Sequence, residues 1–203
     1  MTEMDGIAAI ILAAGLSTRM GHPKLTLPWK DTTILGEVVS TLAAIEIPDI
    51  LIVTQTAQTP LNKHIQQLTS KYPARIVQNE SFEREDMLTS IQYGLKAIKP
   101  SYTSALIVLG DQPQIQEDTV RRIISAHRQS DAQIIIPSYL MRRGHPWLIS
   151  QPLWSKFIQF QRPLTPRDFL DQHRTVISYI IIDNDSILQD IDTPEDYQAF
   201  KPT

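Results

Sequence analysis

Residues 12–24 read LAAGLSTRMGHPK and set small residues and two cations directly after an apolar run. Ala13, Ala14 and Gly15 let backbone come close to a ligand. Gly15 and Gly21 can take left-handed conformations, which turn successive N–H groups into one anion-binding concavity. Arg19 adds a two-pronged donor and Lys24 a point charge. The spacing is neither GxxxxGK[ST] nor GxGxxG, so the loop is neither a P-loop nor a dinucleotide fingerprint. An ordinary strand-to-helix turn with its cations in water also fits these residues one by one. The whole combination favours a triphosphate. A second feature is Gly110-Asp111-Gln112-Pro113, right after the apolar run ALIVL. A carboxylate at a strand end suits Mg²⁺, which takes one or two carboxylates plus phosphate oxygens. Gly110 is expected to leave room for phosphates, although Asp111 fits a turn cap as well.

These residues need a scaffold that gathers strand ends. Ile7–Leu12, Ile50–Val53 and Ala105–Leu109 are short apolar runs of the kind found in buried parallel strands. Arg75–Val77, Ile134–Ile136, Pro146–Ile149 and Val176–Ile182 are further strand candidates. Between them, Thr32–Ile45, Pro60–Leu68, Met87–Ile98, Thr119–His127 and Leu153–Phe160 carry apolar residues at helical spacing, with Thr59 as a cap before Pro60. Thr165-Pro-Arg-Asp168 and Thr193-Pro-Glu-Asp196 both read as helix starts, with hydroxyl cap, proline first and an acid at the third helical position. No repeat or linker divides the chain. The expected architecture is one α/β domain over residues 1–203, with a single doubly wound, mostly parallel, Rossmann-like sheet. A small inserted lobe or hairpin is expected within Ile134–Ile182. Ligands of such sheets bind beyond the carboxyl ends of the strands, which singles out residues 12–24, 78–90, 110–113, 142–146 and 190–192.

Composition narrows the classes of function. The 203 residues are 42% hydrophobic and 20% charged, with a net charge of −3 and no cysteine. Disulfides, thiolate metal sites and cysteine nucleophiles are thereby excluded. Without a strongly basic stretch, nucleic acid is not the expected partner, while a local basic pocket is compatible. The start MTEMDG has an acidic flank and no cationic region, so the following apolar run reads as a first strand rather than a signal peptide. No run is long enough to cross a bilayer. A cytoplasmic protein without membrane partners is the expectation.

Taken together, LAAG-x-S-x-R-M-G-x-x-K, GDQP, the Gly144-His145-Pro146 segment and the late Asp190-Ile-Asp-Thr-Pro-Glu-Asp resemble the molybdenum-cofactor nucleotidyltransferases. These are MobA-like NTP transferases of the glycosyltransferase-A-like fold, and the cytidylyltransferase branch is the nearer match. The resemblance runs from Leu12 to Tyr197. It implies CMP transfer from CTP to the phosphate of molybdopterin, with release of pyrophosphate and Mg²⁺ as cofactor. It further implies nucleotide contacts from Leu12, Ala13, Ala14, Gly15, Asn79, Ser90 and Gly110. Arg19 and Lys24 would hold the triphosphate, and Asp111 and Asp192 the metal. Gly144 and His145 would face the acceptor, with Arg142 and Arg143 available for its phosphate. A molybdoenzyme or its maturation chaperone is the implied protein partner. One segment departs from the family pattern: Asp86 and Leu88 replace a glycine and a serine. Asp86 can cap a helix, but a carboxylate near a triphosphate needs a metal or Arg84 to compensate it.

An acceptor phosphate is largely ionised near neutrality, its second pKa being about 6. The chemistry therefore needs alignment and charge neutralisation rather than a general base. Alternatives are transfer to a sugar or polyol phosphate, a GTP-dependent variant, or a non-catalytic protein that delivers the cofactor. His22, His64, His127 and His173 show no metal spacing and read as structural. Trp29, Trp147 and Trp154 read as packing residues, with Trp147 of interest because it follows the Gly-His-Pro segment.

Overall fold

A computed structural model describes residues 4, 6–15, 20, 23–55, 60–80 and 86–202. Its centre is an eight-stranded sheet. The strands along its main path are β1 (Ile7–Leu12), β4 (Ile50–Gln55), β5 (Ala74–Asn79), β6 (Ser104–Leu109), β7 (Ile134–Tyr139), β9 (Trp147–Ser150) and β10 (Ile177–Ile181). Their order is β10-β7-β9-β6-β1-β4-β5, with β8 (Arg142–Arg143) paired to β7. β1, β4, β5 and β6 are mutually parallel, as are β7 and β10, whereas β9 runs antiparallel to both of its neighbours. A separate hairpin joins β2 (Pro28–Trp29) to β3 (Thr32–Thr33). The segment expected to form an inserted lobe thus gives strands to the main sheet, and its hairpin is β7–β8.

Helices cover both faces, which explains why the central strands read as unbroken apolar runs rather than alternating ones. Ile7, Ala9 and Ile11 of β1 face α1 (Ile34–Ala44), α2 (Pro60–Lys71), α4 (Glu117–Arg128) and α7 (Pro194–Phe200). Ala8 and Ile10 face α3 (Met87–Ala97), α5 (Trp154–Gln159) and α6 (Pro166–Gln172). Both predicted helix starts form reciprocal capping boxes, Thr165 with Asp168 and Thr193 with Asp196. The first helix begins later than periodicity indicates. Thr32 and Thr33 pair with Trp29 and Pro28, and the Thr33 hydroxyl then caps α1 at Gly36 N. Among the described residues, no helix is long and apolar enough to cross a membrane.

The topology locates the site. From β1 the chain steps outward through β4 and β5, then returns to lay β6 on the other side of β1. This reversal is the switch point at which parallel sheets open a crevice beyond their carboxyl ends. Residues 12–15 and 110–111 leave the sheet there.

Candidate active site

β1 and β6 end in close contact. Gly110 N donates to the Leu12 carbonyl at 3.1 Å, and a Cβ on Gly110 would stand 2.8 Å from that oxygen. The glycine therefore makes room for the neighbouring strand's backbone. Asp111 follows and is pointed by this junction into a cleft of about 270 Å³ that Leu12, Ala14, Gly15, Ser90 and Asp190 also line. A short helical turn at Lys24–Thr26 brings in Lys24, whose Nζ lies 2.6 Å from Asp111 Oδ2 and 2.8 Å from Asp192 Oδ1. The Asp111 carbonyl accepts from Ile191 N at 3.1 Å, which ties the chain's late acidic segment to the loop after β6. The Asp196 carboxylate, accepting from the N–H groups of Asp192 and Thr193, fixes that segment's entry into α7. Residues 24, 111 and 192 thus meet at one point.

Electrostatics follow from this gathering. Burial opposes the charge of Lys24, but the Asp111 and Asp192 carboxylates outweigh it and hold the ammonium above its ordinary value. Burial, then the charge of Asp111, pushes the Asp190 carboxyl up although Gln112 Nε2 donates to it at 2.6 Å. Asp111 and Asp192, both hard oxygen donors already converging on one cation, fit a divalent metal. No group of three His, Cys, Asp or Glu is placed to hold a metal among the described residues. A metal held here would complete its shell with phosphate oxygens and water, the habit of Mg²⁺.

The other predicted residues divide. Gly15 lines the cleft, and the space where its Cβ would stand is open, but its backbone is not left-handed; Gly6 is the glycine with positive φ among those described. Ala13 is buried and spends its N–H on the Val53 carbonyl at 2.8 Å, so of the three small residues only Ala14 and Gly15 line the cleft. Gln55 Nε2 holds the Ala14 carbonyl at 2.7 Å. Ser90 reaches the cleft, while Asn79 is buried behind it at 3.5 Å. Arg19, Gly21, His22, Thr59 and Arg84 lie outside the described residues. Asp86 caps α3, accepting from Thr89 N at 2.5 Å, and pairs with Arg162, which supplies the compensation expected of Arg84. Burial opposes its charge, but the Thr89 amide and Arg162 keep its carboxyl below the usual range.

A family model described as the MobA-like NTP transferase domain matches residues 9–176. The chain belongs to the MobA-like NTP transferase family. It is a nucleotidyltransferase of that family, and several relatives span its whole length. Molybdenum cofactor cytidylyltransferase of Escherichia coli (strain K12) is 30% identical, with 98% of this chain and 97% of that protein covered. Nicotine blue oxidoreductase of Paenarthrobacter nicotinovorans is 27% identical over 96% of each chain. Among solved structures, Rv0371c from Mycobacterium tuberculosis H37Rv superposes with a TM-score of 0.81 at 24% identity, covering 97% of both chains. A second structure of Rv0371c, a complex with manganese, gives a TM-score of 0.75 at 22% identity, covering 96% of this chain and 97% of that one.

In this MobA-like transferase a second cavity of about 580 Å³ adjoins the cleft, with Met87 lining both. Gly144 and His145 line it, and a Cβ on Gly144 would stand 2.5 Å from the Ile187 carbonyl, so only glycine lets these two backbones meet. His145 Nε2 is buried without a partner among the described residues, and burial pushes the imidazole down to about 4, which keeps it neutral at pH 7. Trp147 is buried against Phe157 and forms one wall. Arg142, Arg143, Arg167 and Arg174 surround the mouth. Asp190 was singled out only within the segment 190–192, and Arg162, Arg167 and Arg174 were given no role. Asp190 was signalled by the Asp-x-Asp spacing, whereas the three arginines carry no local signature. The remaining described histidines are structural: His64 bonds Thr33, His127 bonds Ser104, and His173 stacks on Phe169.

Proposed function

We propose that the protein transfers CMP from CTP to the phosphate of a molybdopterin-type acceptor, releasing pyrophosphate. The observation that carries this reading is the meeting of Lys24, Asp111 and Asp192 at the switch point between β1 and β6. A cation between two carboxylates, beside a cleft lined by Ala14 and Gly15, suits a triphosphate and its metal. The cytidylyl branch and the molybdopterin acceptor are supported by the whole-length likeness to the Escherichia coli cytidylyltransferase.

In this reading Leu12, Ala14, Gly15 and Ser90 flank the nucleotide, and Lys24, with Arg19, neutralises charge on the α-phosphate and on the departing pyrophosphate. Asp111 and Asp192 would hold a divalent metal, which when bound supplies charge neutralisation and orients the α-phosphate. The acceptor body lies in the adjoining cavity beside Gly144, His145 and Arg142. Its phosphate attacks α-phosphorus as an ionised nucleophile, so no protein base is needed. The protein's contribution is alignment and charge. The reading treats residues 1–203 as one catalytic unit, and a maturation factor or molybdoenzyme as the recipient of its product.

Pyrophosphate release measured with each NTP, with and without molybdopterin, tests the proposal. Release requiring both CTP and molybdopterin is expected. Release with GTP, or with a sugar or polyol phosphate in place of molybdopterin, replaces the substrate assignment. Pterin binding without consumption of any nucleotide would mean a delivery protein instead.

A further inference from the structure

We propose that Arg142 and Arg167 form a second anion seat, which binds a charged group of the acceptor remote from its reacting phosphate and thereby selects the acceptor. The inference rests on the transfer reaction proposed above. Four arginines and one aspartate line the cavity, an excess of three positive charges in a chain whose net charge is −3. The four are not equivalent. Asp171 Oδ1 accepts from Arg143 Nη1 at 2.9 Å and stands 3.2 Å from Arg174 Nη2. Arg143 is further held by the Tyr179 hydroxyl, which accepts from its Nε at 3.0 Å. One carboxylate thus fixes two of the guanidinium groups as wall.

Arg142 and Arg167 make no ion pair among the described residues, and they come from separate elements, β8 and α6. Neither lines the cleft that holds Asp111. The phosphate that attacks must stand beside the α-phosphate, hence in that cleft, which leaves these two cations for another group. Guanidinium pairs suit carboxylate-like and phosphate-like anions through parallel N–H donors. Ile136, Trp147 and Leu170 line the same cavity, an apolar wall suited to a flat ring system. The ligand class is therefore a ring-bearing acceptor with a second anionic group besides its reacting phosphate.

Fluorescence quenching of pterin-6-carboxylate, against unsubstituted pterin, tests the seat without nucleotide or turnover. The wild type is expected to prefer the carboxylate by about tenfold, the size of one charge-assisted contact at an exposed site. That preference vanishes in R142A/R167A and in 0.5 M KCl. A wild type indifferent to the carboxylate, or a double variant that keeps the preference, overturns the proposal. Both side chains are exposed, and R142Q and R167Q, each with an unchanged melting temperature, give the same answer if the double variant folds poorly. With molybdopterin as acceptor, the variants raise the KM for the acceptor and not that for CTP. If no acceptor yields pyrophosphate while the carboxylate preference still depends on the two arginines, the transfer reading falls and the seat stands. If transfer occurs and the acceptor KM ignores both substitutions, the seat falls and the transfer stands.

Discussion

Replacing Lys24 by methionine removes a cation from between two carboxylates while keeping most of the apolar stem. The Lys24 side chain is 12% exposed, Asp111 22% and Asp192 44%. Solvent screens Asp192 well, so the cost falls mainly on Asp111. Leaving a half-buried carboxylate without its charged partner costs about 2 kcal/mol. For a chain of this length that lowers Tm by about 4–8 °C. The same change clears a cation site. Metal at a hundred times its Kd returns about 2.7 kcal/mol, enough to restore the melting temperature. In the wild type the ion must first displace the ammonium, so its gain is smaller by about the same 2 kcal/mol. Differential scanning fluorimetry with and without Mn²⁺, in the absence of nucleotide, measures both quantities. Turnover is lost in the variant throughout, because the phosphates lose their cation. Because the Lys24 ammonium is held above its ordinary value, its pairing persists at any working pH and weakens only under strongly alkaline conditions. Equal stabilisation of wild type and variant by Mn²⁺, or a metal-free variant as stable as the wild type, refutes the reasoning.

Asp111→Ala abolishes pyrophosphate release in a protein that still folds, since the substitution sits at a strand end and not in the core. His145 takes up a proton at about pH 4 when folded and near 6.5 when unfolded, so stability is complete above pH 6.5 and falls as pH drops towards 4. The loss amounts to about 3 kcal/mol, and chemical denaturation from pH 7 to 4 shows it flattened in His145→Gln. Gly110→Ala drives a methyl group against the Leu12 carbonyl, splays β1 from β6 and costs activity more than stability, which KM for CTP and a melting curve separate. Asp86→Ala removes the cap of α3 and the partner of Arg162, lowering stability by about 1–2 kcal/mol in denaturant titrations.

The strands were legible because burial on both faces leaves a simple mark, unbroken runs such as IAAIIL and SALIVL. Capping boxes were legible for a similar reason: Thr165 with Asp168 and Thr193 with Asp196 complete their chemistry within four residues. Lys24 and Asp111 could be named individually. Their meeting with Asp192, 168 residues beyond Lys24, follows from the sheet order rather than from any spacing. The left-handed turn expected at Gly15 is not formed, and the close approach of Gly110 to the Leu12 carbonyl has no local mark, because it depends on which strand lies beside β6. Arg167 and Arg174 stayed invisible because exposed arginines on a short helix and the turn after it look like any solvated surface. Only the cavity they share gives them a role.

The antiparallel strand β9 has a consequence for synthesis. β6, which leads to Asp111, borders β1 on one side and β9 on the other, so its second neighbour leaves the ribosome some forty residues after it does. Until then the backbone N–H and C=O groups on that side of β6 are unpaired, an edge of the kind that recruits other chains. Nascent or truncated products ending before Trp147 are accordingly the aggregation-prone species of this protein. The exposed Leu140-Met141 tip, just ahead of the missing strand, marks where such a fragment could be cut and then rescued by a peptide carrying residues 145–152, as donated strands complete other open sheets.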